Sequence, residues 1–289
     1  MEIRLLRALL LFTKALPVLT WKEAFEACFL EAPAPHLSFE VWVGEEKGVF
    51  TWNVLKAAPA LVRIDIGYAG QTPGAIALQS ITTALRNGAL QNLQEVVLRY
   101  CDLSGGGVRD LTIALAGSGC AKPLTCLKFI HCNIDADGAQ ALADVLCQGT
   151  FPALNTLDLS ANHFLTDGGV VALAEALLKA PQILLTHLSL SDVGMGDEGI
   201  AALASLVVQG RLQQLEESSL SRNDGVTKPC SIALAEAIGT RGLPVLRALH
   251  LAALVRETDK ETVRGITTLV HAITKGRPPL EQFTRSCSP

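Results

Sequence analysis

The sequence lacks the features of a nucleic-acid-binding or membrane protein. Lysine and arginine number 24 against 28 acidic residues, the net charge is −4, and no block of basic residues occurs. Without a basic patch the chain cannot neutralise many phosphates, so nucleic-acid binding is disfavoured. No apolar run approaches the roughly 20 residues that span a bilayer, and the N-terminal run over residues 8–12 is too short for a secretory signal. We therefore expect a cytoplasmic protein without a membrane segment.

Motifs of metal, phosphate and redox sites are missing as well. The eight cysteines are scattered, with no CxxC pair, which favours reduced intracellular thiols over a disulfide framework. Cys126 and Cys132 lie near each other in the sequence, but the repeat described below directs one to an open face and the other to the core, so they cannot share a tetrahedral zinc ion. The glycine run at 105–107 lacks the GK[ST] of a phosphate-binding loop. We expect no metal and no cofactor.

What the sequence does contain is a repeat. The pattern LxxLxL, a short polar loop and then a helical apolar pattern return about every 31 residues. A fixed period of this length indicates a solenoid, in which each unit is too small to bury its own apolar face and stacks on its neighbours. The units start at Leu61, Leu93, Leu124, Leu154, Leu185, Leu215, Leu246 and Leu280.

Each unit combines a short strand with a helix. In the unit that starts at residue 154, leucines at positions 4 and 6 alternate inward as a strand requires, and Val170, Leu173 and Leu177 share one face of a helix. Ordering about 30 residues costs at least about 30 kcal/mol of backbone entropy, whereas six or seven buried apolar side chains contribute roughly 10–20 kcal/mol. The units must therefore stack, and stacking in register predicts one interior row of Leu98, Phe129, Leu159 and Leu190.

The consensus LxxLxLxxNxL, followed by a helix of the xGaxaLaxaL type, resembles the ribonuclease-inhibitor-like class of leucine-rich repeats. That class includes ribonuclease inhibitor, Ran GTPase-activating proteins and the repeat domains of NOD-like receptors. The resemblance covers residues 58–284 and implies an α/β fold: a right-handed, horseshoe-shaped solenoid with a parallel sheet on its concave side and helices outside. It also implies that Asn or Cys at position 9 hydrogen-bonds the turning backbone of the next coil. This column reads Ala69, Cys101, Cys132, Asn162, Val193, Asn223 and Leu254.

The repeat divides the chain into two parts. Residues 1–58 fit the period poorly and are interpreted as an N-terminal cap with a degenerate first unit. Residues 59–289 are interpreted as seven repeats plus a truncated eighth strand. Within the first part the patterns predict helices over 3–15 and 20–30, a strand over 37–43 and a short helix around Trp52.

Two departures from the repeat predict weak points. Ser218 replaces an inward leucine, so the packing of the sixth unit against its neighbours is expected to be the least stable in the array. The last strand lacks its helix, which suggests a truncated product, a partner that covers that end, or an uncapped strand edge that is free to self-associate.

Side chains on the concave face are not needed for the core, so they are free to bind a partner. The only two tyrosines, Tyr68 and Tyr100, share position 8 in adjacent units, where rings on strands about 4.8 Å apart can lie side by side. Tyrosine and arginine are frequent interface anchors, although the same rings would equally serve to cover the sheet edge. The candidate partner-binding residues are Arg63, Asp65, Tyr68, Glu95, Arg99, Tyr100, Lys128, His131, Asp158, His187, Asp192 and Arg222.

The leading functional hypothesis is a non-enzymatic scaffold that binds a partner protein on the concave face. His187 and His250 fall two units apart, about 10 Å, which is too far for a direct pair. No nucleophile, base and orienting group come together in the repeat columns, so no enzymatic activity is expected. The alternative implied by the resemblance is a GTPase-activating protein of the Ran-regulator type. A third interpretation is a recognition fragment of a larger immune-type or cytoskeletal protein.

Overall fold

The computed structural model describes an all-parallel sheet whose strands follow the chain order. It describes residues 37–43, 61–68, 75–88, 90–180, 183–239, 243–251 and 282–284. Nine strands lie within these residues: β1 (Leu37–Val43), β2 (Leu61–Tyr68), β3 (Glu95–Arg99), β4 (Cys126–Ile130), β5 (Thr156–Asp158), β6 (His187–Ser189), β7 (Glu217–Ser219), β8 (Ala248–His250) and β9 (Gln282–Thr284).

Helices alternate with the strands from β2 onward. Those described are α1 (Ala75–Arg86), α2 (Gly107–Gly117), α3 (Ala136–Cys147), α4 (Thr166–Lys179), α5 (Asp197–Val208) and α6 (Lys228–Ala237), with a 3-10 turn at Gly119–Ala121. Alternating strands and helices with an open parallel sheet form an α/β solenoid, which confirms the predicted fold class. No helix in the described ranges is both long and apolar enough to cross a membrane.

The strands pair in the register that the repeat predicts. Leu98 lies beside Phe129, and Leu159 and Leu190 are buried in the same core, so the predicted interior row is confirmed. Position 4 forms a second aligned row, which consists of Ile64, Val96, Leu127, Leu157, Leu188, Ser218 and Leu249.

The helices close the core on one side of the sheet. The predicted inward face of α4 is confirmed, since Val170, Leu173 and Leu177 are all buried. The position of Leu173 is buried in every described helix: Ile81, Leu111, Leu142, Leu173, Leu203 and Leu234. The corresponding residues of the next unit, Ile266, Leu269 and Ile273, lie outside the described residues.

A glycine near the start of each of the helices α2 to α5 lets neighbouring helices approach closely. A Cβ added to Gly169 would lie 2.9 Å from the Cβ of Ala139, and one added to Gly199 would lie 2.8 Å from Asp167 Oδ1 and 2.5 Å from Met195 Cγ. Real Cβ atoms do not tolerate such contacts, so these positions require glycine.

Asparagines at position 9 connect adjacent coils by hydrogen bonds. Asn162 Oδ1 accepts from the backbone N–H groups of Cys132 (2.8 Å) and Ile134 (3.1 Å), and its Nδ2 donates to the carbonyls of Phe129 and Leu159, both at 2.7 Å. Asn223 makes the same set of hydrogen bonds two coils further along the chain. The predicted ladder of hydrogen bonds is confirmed, but its predicted direction is wrong. The side-chain amide bonds the backbone turn of the preceding coil and not that of the next coil.

Cysteine performs part of the same task at position 9. The Cys132 thiol donates to the carbonyls of Leu98 and Ile130, both at 3.3 Å, and Cys101 makes longer contacts to Ile66 and Arg99. A thiol is a weak donor and a weak acceptor, so it substitutes for the donating half of the amide only. Both cysteines are core residues, as predicted.

An aspartate in α4 caps the helix of the following coil. The N–H groups of Gly196 (2.7 Å) and Gly199 (2.8 Å) donate to Asp167 Oδ1. Asp197 repeats this role for Thr227, from which it accepts backbone and hydroxyl hydrogen bonds of 2.6 and 2.7 Å. A carboxylate at a helix N-terminus satisfies free N–H groups and complements the helix dipole, so capping here also joins coil to coil.

The predicted strand at residues 37–43 is confirmed as β1, which pairs with β2. The helices predicted over 3–15 and 20–30, and the one near Trp52, lie outside the described residues. Ser218 is buried at its inward position. The low stability of its unit stays a prediction.

Candidate binding surface on the open face of the sheet

The sheet has one face that the helices do not cover, which we call the open face. Strand residues at positions 3, 5 and 7 alternate with the buried core positions and lie on this face. The chain leaves each strand at position 8, which we call the exit edge. There the backbone is left-handed in five successive coils, with φ of 55°, 55°, 60°, 58° and 61° at Tyr100, His131, Ala161, Asp192 and Arg222.

The N-terminal part of the open face carries a closed network of ion pairs. Strand register places Arg63 beside Glu95, and Arg63 bonds Glu95 at 2.8 Å and Asp65 at 2.9 Å. Arg99 reaches the other oxygen of Asp65 at 2.5 Å. Asp65 is only 4% exposed, and its hydrogen bond raises the pKa of Arg63. Each of the four side chains has at least one partner of opposite charge, whereas Arg63 Nε is buried without a hydrogen-bond partner.

This network removes part of the surface that the sequence predicts to be free. Val97 lies between Glu95 and Arg99 along its strand and beside Asp65 and Lys128 on the neighbouring strands. It is only 1% exposed, because long paired side chains surround it. Asp65 and Val97, which both stand at position 5 on the open face, are therefore buried instead of free to bind a partner.

Cys126, at position 3 of β4, is a further exception to the expected exposure. It is 8% exposed, although the sequence places it on the open face. Burial raises the pKa of its thiol to about 11.

Aromatic side chains follow the exit edge. The ring of Tyr100 lies 4.9 Å from the ring of His131, tilted by 50°, and His131 meets His163 edge to face at 6.3 Å. Tyr100 is 53% exposed. The side chain of Tyr68 lies outside the described structure, so its stacking on Tyr100 stays a prediction.

The same edge continues into a charged group. Asp192 lies 3.2 Å from His163 Nδ1 and 3.5 Å from Arg222 Nε. We call the whole line the exit row; its members are Tyr100, His131, His163, Asp192 and Arg222. The candidate residues from the sequence do not include His163, because it stands at position 10 of its unit, two residues beyond the exit edge.

Glu217 links the two histidines that the sequence separates. It lies 3.8 Å from His187 Nε2 and 3.5 Å from His250 Nε2. Glu217 therefore brings both histidines into one cluster, and the absence of a direct pair between them stays a prediction. The sequence indicates this contact, since Glu217 stands at position 3 of the unit that lies between the units of His187 and His250.

The centre of the open face has small hydroxyl side chains. Ser160 and Ser189 are hydrogen-bonded at 2.7 Å, Ser191 and Ser219 at 2.6 Å, and Ser160 donates its hydroxyl to Asp158 at 2.5 Å. We call this floor of β5–β7 and the residues that follow them the serine basin; its members are Asp158, Ser160, Ser189, Ser191, Ser219 and Ser221, all half-buried.

The described side chains give little support for a metal site or a reactive thiol. The described residues contain no group of three or more His, Cys, Asp or Glu side chains arranged to hold a metal ion. The six described cysteines are free, and burial raises the pKa of Cys101 to about 12 and also raises the pKa of Cys132. Thiols that resist ionisation are poor nucleophiles.

Three segments of the chain match the family model described as Leucine Rich repeat, at residues 121–143, 152–174 and 183–204. Each segment contains one strand and most of the helix that follows it. The matched units are thus the strand–helix units of the solenoid.

Two curated proteins are similar over longer stretches. Tonsoku-like protein from Bos taurus is 31% identical over 233 residues, which are 76% of this chain and 16% of that protein. NACHT, LRR and PYD domains-containing protein 5 from Homo sapiens is 30% identical over 165 residues, 55% of this chain and 12% of that protein. The chain therefore spans less than a fifth of the length of either relative.

A solved structure, the crystal structure of the Rad7 and Elc1 complex in yeast, matches with a TM-score of 0.35 and 15% identity over 75% of this chain and 62% of the other. The likeness is distant.

Proposed function

We propose that this chain, which carries leucine-rich repeats stacked into an α/β solenoid, is a non-enzymatic scaffold that binds a partner protein on the open face of its sheet. The exit row is the observation that supports this proposal most directly. It presents exposed Tyr, His and Arg side chains on four of five consecutive coils, and the half-buried Asp192 lies on the remaining one.

The length of the exit row suits a protein partner. Five adjacent coils at the usual strand spacing extend about 19 Å, a scale that fits one side of a standard interface of roughly 800 Å² per partner. Tyrosine and arginine are the residues most often responsible for binding energy at such interfaces. The sequence candidates Tyr100, His131, Asp192 and Arg222 belong to this row. Lys128, Asp158 and His187 lie on the sheet beside it, whereas Arg63, Asp65, Glu95 and Arg99 form the closed network.

Finer assignments belong to the same proposal. The asparagine and cysteine ladder supports membership of the ribonuclease-inhibitor-like class, in which the open face is concave. The free, largely buried thiols support a reducing compartment such as the cytoplasm. The net charge of −4 supports a protein partner over a nucleic acid.

The test is affinity capture with a pair of matched variants. Tyr100→Ala/Arg222→Ala removes two exposed side chains of the exit row, and Ile113→Ala/Val208→Ala removes two exposed apolar side chains from helices α2 and α5. Both variants are expected to keep the circular dichroism spectrum and melting temperature of the parent.

We expect the exit-row variant to lose at least one protein that the parent captures, by tenfold or more in quantitative mass spectrometry, and the helix variant to retain it. Capture of the same proteins in the same amounts by both variants would contradict binding at the exit row.

A further inference from the structure

Phe164, in the turn between β5 and α4, is a large apolar residue whose side chain is 68% exposed. Single exposed apolar side chains are common on protein surfaces, so exposure alone does not indicate a binding site. Phe164 differs from the other cases because the fold does not need its ring and because it directly follows His163 of the exit row.

The neighbouring residue closes the core at this turn. Leu165 is fully buried, and its N–H group donates to the Asn162 carbonyl at 3.0 Å. The coil of β7 has a turn of the same length, in which Val226 takes the buried place and Gly225 stands where Phe164 stands. A turn of this length therefore closes without an apolar side chain at that position, and the exposed ring contributes little to the core.

The backbone that carries Phe164 is firmly held. The Thr166 N–H group donates to the Val193 carbonyl at 2.9 Å, and Gly194 lies so close that a Cβ there would be 2.5 Å from the His163 carbonyl oxygen. Thr166 itself has φ of 54°, a left-handed conformation that is strained for a β-branched residue and persists only where surrounding contacts fix it. The ring is thus presented from a fixed backbone, which lowers the entropy lost when a partner binds.

The surroundings of Phe164 are acidic. The turns and first helical residues of its own coil and of the two adjacent coils, residues 131–138, 160–169 and 190–199, contain no lysine or arginine. They contain six carboxylates: Asp135, Asp137, Asp167, Asp192, Asp197 and Glu198.

Two of these carboxylates are exposed, Asp137 and Glu198. Asp137 stands in the first turn of α3 and Glu198 in the first turn of α5. These helices pack on either side of α4, and neighbouring helices lie about 8–10 Å apart. A partner that covers the ring of Phe164 therefore meets negative charge on both sides of it.

We propose that Phe164 is an anchor for the partner protein, which places an apolar side chain on the ring and lysine or arginine side chains beside Asp137 and Glu198. This inference rests on the proposed function and adds the chemistry that the partner presents. An apolar group covers a phenyl ring without leaving a polar group unpaired. Basic groups complement the exposed carboxylates and speed the encounter, whereas an acidic segment would be repelled.

The probe is a library of random dodecapeptides displayed on phage and selected against the purified full chain. We expect the selected peptides to combine an aromatic or aliphatic residue with lysine or arginine more often than the unselected library does. A synthetic copy of a selected peptide is measured by fluorescence anisotropy. Replacement of its apolar residue by serine is expected to lower the affinity about tenfold or more, the scale that burial of one large apolar side chain supplies.

Variants of Phe164 locate the contact. Phe164→Ala is expected to weaken peptide binding about tenfold or more, and Phe164→Leu, which keeps an apolar side chain, should lie between that variant and the parent. Leu184→Ala is the matched control, because Leu184 is 62% exposed and precedes β6, at the opposite end of the strands from the exit edge. It should bind within about twofold of the parent, and all three variants should keep the parent's melting temperature, because exposed side chains contribute little to stability.

Charge variants test the basic neighbours. Asp137→Asn/Glu198→Gln should weaken peptide binding about threefold or more at low salt, and the difference should shrink as salt is added. Asp144→Asn/Glu175→Gln removes two charges from exposed positions further along α3 and α4 and should leave the affinity within about twofold of the parent.

The inference is overturned if no peptide is selected, if the selected peptides lack the combination of apolar and basic residues, or if Phe164→Ala or Asp137→Asn/Glu198→Gln binds them as tightly as the parent. A native partner that Phe164→Ala captures and the Tyr100→Ala/Arg222→Ala variant loses would overturn this inference alone and leave the proposed function standing. Loss of no partner by either variant would contradict both.

Discussion

Replacement of Asn162 by alanine should weaken the junction between its coil and the preceding one. The amide is the acceptor for the backbone N–H groups of Cys132 and Ile134, at 2.8 and 3.1 Å, in a fully buried position. A buried N–H group left without a partner costs about 1–3 kcal/mol. Two of them give an expected loss of roughly 2–6 kcal/mol in the free energy of unfolding, before any loss from the carbonyls that Nδ2 serves.

Hydrogen exchange measures this loss where it occurs. Because about 1.4 kcal/mol corresponds to a factor of ten in an equilibrium constant, a local loss of 2 kcal/mol predicts roughly 25-fold faster exchange of the amides of Cys132 and Ile134. The urea midpoint should fall in parallel. Asn162→Cys is expected to lie between the parent and Asn162→Ala, because a thiol can donate to the carbonyls but replaces the acceptor poorly.

A matched surface variant controls for the loss of an asparagine as such. The Asn155 amide accepts only from the neighbouring Thr156 hydroxyl among the contacts of its side chain, so Asn155→Ala should leave both quantities within about 0.5 kcal/mol of the parent. Unchanged exchange of Cys132 and Ile134 in Asn162→Ala would refute the assignment of the amide as the element that joins the coils.

Three further predictions follow from other features of the fold. Gly199→Ala should lower the urea midpoint by the equivalent of about 1–3 kcal/mol, because its Cβ would meet Asp167 and Met195, whereas Gly117→Ala, with open space around it, should raise it; equal effects would contradict the close packing. Ala161→Gly should raise the melting temperature, because it relieves a left-handed backbone at φ 60° that costs a non-glycine residue about 1 kcal/mol or more; a lower melting temperature would argue against that strain. The buried cysteines should resist iodoacetamide at pH 8.5 in the folded protein, as read by mass spectrometry. Since burial raises their pKa values, the unfolded chain releases these protons first, and stability should fall as the pH rises above about 9; a flat urea midpoint between pH 8 and 10 would contradict this.

The fold was predictable because apolar side chains recur in two periods at once. Leucines at positions 4 and 6 specify the strand, and helix columns such as the one through Leu142 and Leu173 specify the packing against it. Register then follows from the constant unit length, as the pairing of Leu98 with Phe129 shows.

The open face was only partly predictable, because its side chains are long and choose among several neighbours. The repeat places Arg63, Asp65 and Glu95 correctly on the sheet, yet it does not show that they pair with one another and that Val97 becomes buried among them. The repeat places Glu217 at position 3, but its contacts with both histidines depend on side-chain conformations that the sequence alone does not specify.

A local change in loop length explains why His163 was missed. The consensus places an inward side chain two residues after Asn162, at Phe164, but the structure exposes Phe164 and buries Leu165 instead. The turn of this coil therefore contains one extra residue. His163 reaches both His131 and Asp192 from this enlarged turn.

The ladder makes assembly of the solenoid directional. Asn162 accepts a hydrogen bond from the turn at Cys132, and Asp167 caps the helix that begins after Gly196. A single coil therefore stabilises both the coil before it and the coil after it. During translation the stretch that contains Cys132 leaves the ribosome with its amides unmatched and acquires their acceptor only when about thirty more residues have emerged. A growing polypeptide that ends before Asn162 would therefore hold the coil of Cys132 less firmly than the finished solenoid holds it.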